Sequence, residues 1–160
     1  MEFEGPRREA ARLIAAQVWL ALGTVDQSGL PSVTYVPFAA VDGAFGIVVS
    51  RLAAHTANLL ARRPASVLVV DDDIERRDAF TRARFTIGVT PSPNPAGSAQ
   101  ADAIWTALER RQGETVRVLR TLPDFEAIAL EPLSGRLVLG FAAAHDLEAL
   151  AIGELLRSAD

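Results

Sequence analysis

The sequence predicts an α+β fold, mainly β: an antiparallel barrel decorated by helices. Apolar or β-branched stretches recur at hairpin spacing, broken by turn signals at residues 26–29 (Asp-Gln-Ser-Gly) and 41–43 (Val-Asp-Gly). Helical segments are inserted among these stretches without the strict strand-helix alternation of a parallel sheet. No G-x-G-x-x-G or P-loop signature follows any strand. With 160 residues, 49% of them hydrophobic, the chain is read as one domain over residues 1–160 that needs no disulfide or structural metal to hold its core.

The elements follow in order. Residues 6–17 start with Pro at a first helical position and place Ala11, Leu13, Ile14 and Val18 near one face, so an N-terminal amphipathic helix is expected over about 6–18. Strands are expected at about 19–26, 31–39 and 44–49. Pro31 and Pro37 remove ladder donors, so the second strand is expected to sit at an edge or to be interrupted where something else meets its backbone. Residues 52–64 return to helical spacing, with Leu52, Leu59 and Leu60 available for the core, and stop at Pro64 after a basic last turn. Residues 65–73 form a fourth strand, apolar enough to be buried on both faces, and residues 82–90 alternate as a fifth. The Pro-rich segment 90–100 is read as a surface loop and 101–112 as a helix with Ile104, Trp105 and Leu108 inward. An irregular stretch reaches Pro123. Residues 125–133 and 135–143 are expected to form a terminal hairpin around Pro-Leu-Ser-Gly, and 148–160 to add a last helical turn or two.

Composition narrows the chemistry. There is no Cys and no Lys, all 16 basic residues are Arg, and His numbers two. Thiolate nucleophiles, Cys-based metal centres and Schiff-base lysines are therefore excluded. A net charge of −4, with Arg dispersed along the chain, gives no stripe for a nucleic-acid backbone. The acidic, Pro-containing N-terminal sequence does not resemble a signal peptide and no apolar run approaches a membrane span, so a cytoplasmic protein with neither nucleic-acid nor membrane partners is expected. The Asp71-Asp72-Asp73 run is read as a solvated turn rather than a metal site. Trp19 and Trp105 are read as core or interface anchors.

The most informative stretch is residues 34–60. It places Ser50 after an apolar strand and His55, Thr56 and Asn58 in the first turns of the next helix, where donors and the helix dipole attract anions. The same residues also suit a plain helix start: Ser50 as an N-cap, Thr56 and Asn58 as solvated positions, His55 as a cap or carboxylate partner.

The run S-R-L-A-A-H-T-A-N-L at 50–59, together with G-L-P-S-V-T-Y-V-P-F-A at 29–39, resembles the pyridoxamine 5'-phosphate oxidase-like proteins of the flavin-binding split-barrel superfamily, and within it the haem-utilisation (HugZ/HutZ-type) branch. Arg84-Phe-Thr-Ile-Gly and G-R-L-V-L-G-F-A-A-A-H-D-L agree with strands of that group. The resemblance covers about residues 19–147 and implies a six-stranded antiparallel split barrel of the FMN-binding type, a homodimer with FMN at the subunit interface. It further implies that Thr34, Tyr35, Val36 and Pro37 lie along the flavin, and that Ser50, His55, Thr56 and Asn58 surround its phosphate. In the oxidases the positions matching His55 and Thr56 are Arg and Lys, that matching Thr34 is Arg, and that matching Phe85 is Gln near the ring. Arg84 is left open between flavin and an Asp partner.

Flavin would supply the redox chemistry that these side chains lack. The expected function is thus an FMN-dependent oxidoreductase acting on a small molecule. The Trp-x-x-x-Arg-Leu segment with which the oxidases hold pyridoxamine phosphate is absent from this sequence, so that substrate is not expected. Two alternatives stand: a haem-binding, haem-utilisation protein, for which the resemblance leaves His145 as a candidate iron ligand beside its reading as an ordinary polar residue, and a flavin-binding module without turnover.

Overall fold

The computed structural model describes residues 3–160 apart from 74, 76 and 77. Among the described residues the elements are α1 (Gly5–Ala16), β1 (Trp19–Val25), β2 (Pro31–Pro37), β3 (Ala39–Val41), β4 (Ala44–Ser50), α2 (Ala54–Leu60), β5 (Ala65–Val70), β6 (Arg84–Asn94), α3 (Ala99–Gln112), α4 (Glu114–Arg120), β7 (Phe125–Val138), β8 (Ala144–Glu148) and α5 (Ala149–Ser158). One antiparallel sheet runs β2-β1-β5-β6-β7-β4-β3, with β8 beside β7. β2 and β3 are separated by Phe38 alone yet stand at opposite ends of that order, so the sheet must curl until its ends meet. This is the antiparallel split barrel, with eight strands where six were expected: the short β3 and the terminal β8 are additional.

Alternation along the strands sorts the side chains into two layers. Leu20, Leu22, Val36, Ile47, Val67, Val69, Phe85, Ile87 and Leu137 fill the barrel interior, closed at one end by Leu13 and Ile14 of α1 and Ile152, Leu155 and Leu156 of α5. A second cluster lies outside the barrel wall, where Ile104, Trp105 and Leu108 of α3 cover Ala39, Val41 and Ala127. A Cβ on Gly46 would stand 3.1 Å from Ile104 Cγ1 and 3.2 Å from Val41 Cγ2, so this glycine permits the close approach of α3. Arg111 of α3 fastens the same layer to the start of the chain: it donates to the carbonyls of Ala15 and Gln17 and lies 5.0 Å over the Phe38 ring. Those carbonyls belong to the end of α1 and would otherwise lack helical donors.

Several expectations are corrected. Residues 90–94 are not loop, because β6 continues to Asn94. Beyond Val89 it pairs only with β7, so Pro91 and Pro93, two apart, turn their missing donors to the same open edge. Pro-Leu-Ser-Gly is not a hairpin turn either. β7 runs unbroken through it, and the register passes from Gly88↔Ser134 to Val89↔Pro132, leaving Leu133 as a bulge. The terminal hairpin is β7–β8, turning through residues 139–143, where Ala142 has φ 56°.

The irregular stretch holds α4, and α5 runs for ten residues. β5 buries only alternate residues instead of both faces. α2 ends at Leu60, with Arg62 left-handed at φ 55°; of its expected core residues only Leu59 is buried, while Leu52 is 89% exposed. In α1 the buried face is Ala10, Leu13 and Ile14, and Val18 is exposed. The edge position of β2 and the inward face of α3 are as expected. Among the described residues, no helix is long and apolar enough to cross a membrane.

Candidate functional site

The eight residues predicted for a cofactor fall in two places. On β2, strand alternation divides them: Val36 is buried and Thr34 half-buried, while Tyr35 and Pro37 point outward. Tyr35 packs edge-on against Trp19, ring centroids 5.8 Å apart. Val33, 78% exposed, shares this outer face. It borders a crevice of about 350 Å³ lined also by Gly23, Ser32, Pro64 and Ser66. Among the described residues β2 pairs with β1 alone, so its other edge is an open sheet edge of the kind that can meet a ligand or a second chain.

The other four lie at the corner where β4 passes into α2. The helix starts later than a Ser50 cap requires, its N-cap being Ala53. Ser50 instead donates its hydroxyl proton to Asp124 Oδ2 at 2.6 Å and accepts the Leu52 N–H at 3.1 Å. Thr56 is fully buried, its hydroxyl bonded 2.5 Å from the Ser50 carbonyl. Asn58 is buried too; its amide donates to Thr24 Oγ1 at 3.1 Å, and Thr24 shares a 3.1 Å hydrogen bond with Ser32 on β2. These are the bonds that buried polar groups require, and they tie α2 to the β1–β2 hairpin. His55 is half-buried, and desolvation holds its imidazole below the ordinary histidine pKa. Arg51 pairs with Glu126 at 2.5 Å.

As arranged, this corner does not fit a phosphate. The donors of Ser50, Thr56 and Asn58 are committed to internal partners, burial disfavours the charged form of His55, and the Ser50 hydroxyl is bonded to a carboxylate. Phe85, expected beside a flavin ring, is fully buried in the barrel core because it alternates inward between Arg84 and Thr86. Arg84 donates to the carbonyl of Arg82.

Sequence reasoning missed Asp124, Thr24 and Ser32. Thr24 and Ser32 were within reach, since a hairpin turning at Asp-Gln-Ser-Gly sets them opposite each other. Asp124 was not, because only the β4–β7 register, with Ser50 opposite Phe125, brings it there.

A further feature lies at the closed end of the barrel. His145 is half-buried on β8 and lines a crevice of about 470 Å³ with Glu4, Pro6, Arg7, Leu147, Glu148 and Ala151. Arg7 pairs with Glu154 at 3.8 Å. Asp146 lines the crevice as well and is held by Arg136 in two hydrogen bonds of 2.8 and 2.9 Å, which lower its pKa. Among the described residues, no cluster of three or more His, Cys, Asp or Glu could hold a metal ion. Asp71 pairs with Arg12 at 3.8 Å and Asp72 accepts from Gln17.

Fold and sequence together define a class. The pyridoxamine 5'-phosphate oxidase family matches residues 7–139, and the chain belongs to that family. Among its relatives, the heme oxygenase HutZ of Vibrio cholerae serotype O1 (strain ATCC 39315 / El Tor Inaba N16961) is 30% identical over 128 residues, which are 80% of this chain and 73% of that protein. The crystal structure of HutZ from Vibrio cholerae, described there as a heme storage protein, superposes with a TM-score of 0.73 at 28% identity, covering 78% of this chain and 87% of that one. ChuZ of Campylobacter jejuni superposes with a TM-score of 0.82 at 25% identity over 92% of this chain, which spans 61% of the ChuZ chain.

Proposed function

We propose that this protein binds haem and serves in haem handling. The observation that carries the reading is the His145 crevice: an imidazole beside Pro6, Leu147 and Ala151, with the Arg7 guanidinium, which also pairs with Glu154, and the carboxylates of Glu4, Asp146 and Glu148 on the same lining. These are the parts a haem site needs, namely a nitrogen ligand, apolar walls and a cation for the propionates. Bound haem would supply iron chemistry that no side chain of this protein offers; His145 would ligate and Arg7 orient. The names of the relatives point the same way.

The competing reading is an FMN-dependent oxidoreductase with Thr34–Pro37 and the β4–α2 corner as its site. The family match supports it, and the committed donors of Ser50, Thr56 and Asn58 oppose it. A cytoplasmic location belongs to either reading.

Haemin titrated into the purified protein is expected to give a saturating Soret band at one equivalent per chain. His145→Ala should weaken binding at least tenfold and change the ligand-sensitive bands, while His55→Ala leaves both as they are. No Soret change on titration contradicts haem binding, and loss of the bands in His55→Ala instead would move the ligand to the other histidine.

The exposed face of β2 fits self-association. Val33 and Tyr35 are 78% and 67% exposed on adjoining positions of one apolar face. Wild type should run at twice the 17.1 kDa chain mass in size exclusion with light scattering, and Val33→Glu should run as a monomer. A monomeric wild type at micromolar concentration removes the dimer from the proposal.

A further inference from the structure

The family's cofactor and this chain disagree at one corner, and the disagreement centres on Asp124. Its carboxylate accepts the single proton of Ser50 at 2.6 Å. Its backbone is fixed as well, because the Arg51 N–H donates to the Asp124 carbonyl at 2.7 Å. Three donors beside it already have partners: Leu52 N–H bonds to Ser50 Oγ, the Thr56 hydroxyl to the Ser50 carbonyl, and Arg51 Nε to Glu126. The corner therefore already contains an anion, supplied by the protein.

We infer that Asp124 occupies the anion position of the β4–α2 corner and is a specificity-determining residue that turns away ligands bringing a phosphate there. The physical case is one of repulsion. A phosphate bonding to Ser50 must first displace the carboxylate and then remain beside it, two like charges in a half-buried place. Rejection by a built-in repulsive group is a general route to specificity. It also explains why the hydroxyls that the sequence offers here do not make a phosphate cradle. The inference rests on the proposed reading only in its choice against FMN, and its test does not use haem.

The test compares FMN with riboflavin, which has the same ring and no phosphate, by fluorescence titration of the full chain. Asp124→Asn keeps an acceptor for Ser50 and removes the charge, and Asp124→Ser is the second variant should the first melt more than a few degrees below wild type. Either variant is expected to bind FMN at least tenfold more tightly than wild type, with riboflavin unchanged within twofold. A combined Asp124→Asn, His55→Arg variant should gain further, the arginine adding the cation that the oxidases carry. An FMN affinity no better than that of wild type overturns the inference. So does an equal gain for riboflavin, which would place the effect on the ring. Retention of FMN by wild type that is lost in Ser50→Ala would also overturn it, because the corner would then hold the phosphate as it stands.

Discussion

Replacing Phe85 with Gln, the residue of the oxidases at that position, should destabilise the protein by about 4 kcal/mol and restore no flavin binding. Phe85 is fully buried, its ring in the barrel interior. The substitution removes a buried phenyl and buries an amide without partners, losses of about 2–3 and 1–3 kcal/mol respectively. For a chain of 160 residues this lowers the melting temperature by roughly 10 °C. Denaturant unfolding of the variant checks it. A loss under about 1 kcal/mol would mean that residue 85 faces a solvent-filled cleft, as the resemblance implies, and that the assigned alternation of β6 is wrong.

Gly135→Ala is expected to cost about 3 kcal/mol, the upper end of overpacking by a single methyl group. A Cβ there would lie 2.7 Å from Phe85 Cε2, 3.0 Å from Ile87 Cγ1 and 3.0 Å from the Thr86 carbonyl oxygen. The carbonyl belongs to the ladder between β6 and β7, so it cannot step aside without breaking pairing. Part of the clash is with the tip of Phe85. Gly135→Ala combined with Phe85→Leu should therefore lose less than the sum of the two single variants, by about 1 kcal/mol. Strict additivity would show that the backbone, and not the ring, carries the clash.

These two residues illustrate which features were legible in the sequence. Pro31 and Pro37 placed β2 at an edge because a missing N–H is a local property, and the spacing of Ile104, Trp105 and Leu108 gave the inward face of α3 for the same reason. The errors came where meaning depended on a neighbour strand. Pro91 and Pro93 are loop formers only if both strand edges are paired, and here one edge is open. Pro-Leu-Ser-Gly is a turn only if β6 ends there, and β6 runs alongside both halves.

The candidate site divides in the same way. Thr24 lies opposite Ser32 by hairpin register, which the turn at 26–29 specifies. The partner of Ser50 is 74 residues away, and no local pattern announces Asp124. The residue types at 50–58 suited phosphate chemistry; what the sequence did not convey is that α2 starts at Ala54, which turns Thr56 and Asn58 inward and leaves His55 half-buried. His145 was visible as a residue, but its crevice forms only when α1, β8 and α5 meet.

The most direct test of the account is one absorption spectrum. Ligand-free protein is mixed with one equivalent each of haemin and FMN, desalted and scanned. The account predicts a Soret band and no flavin absorption in the protein fraction, with the Soret band lost in His145→Ala. A flavin spectrum without a Soret band would contradict it, and would return the β2 edge and the β4–α2 corner to the role that the family resemblance implies.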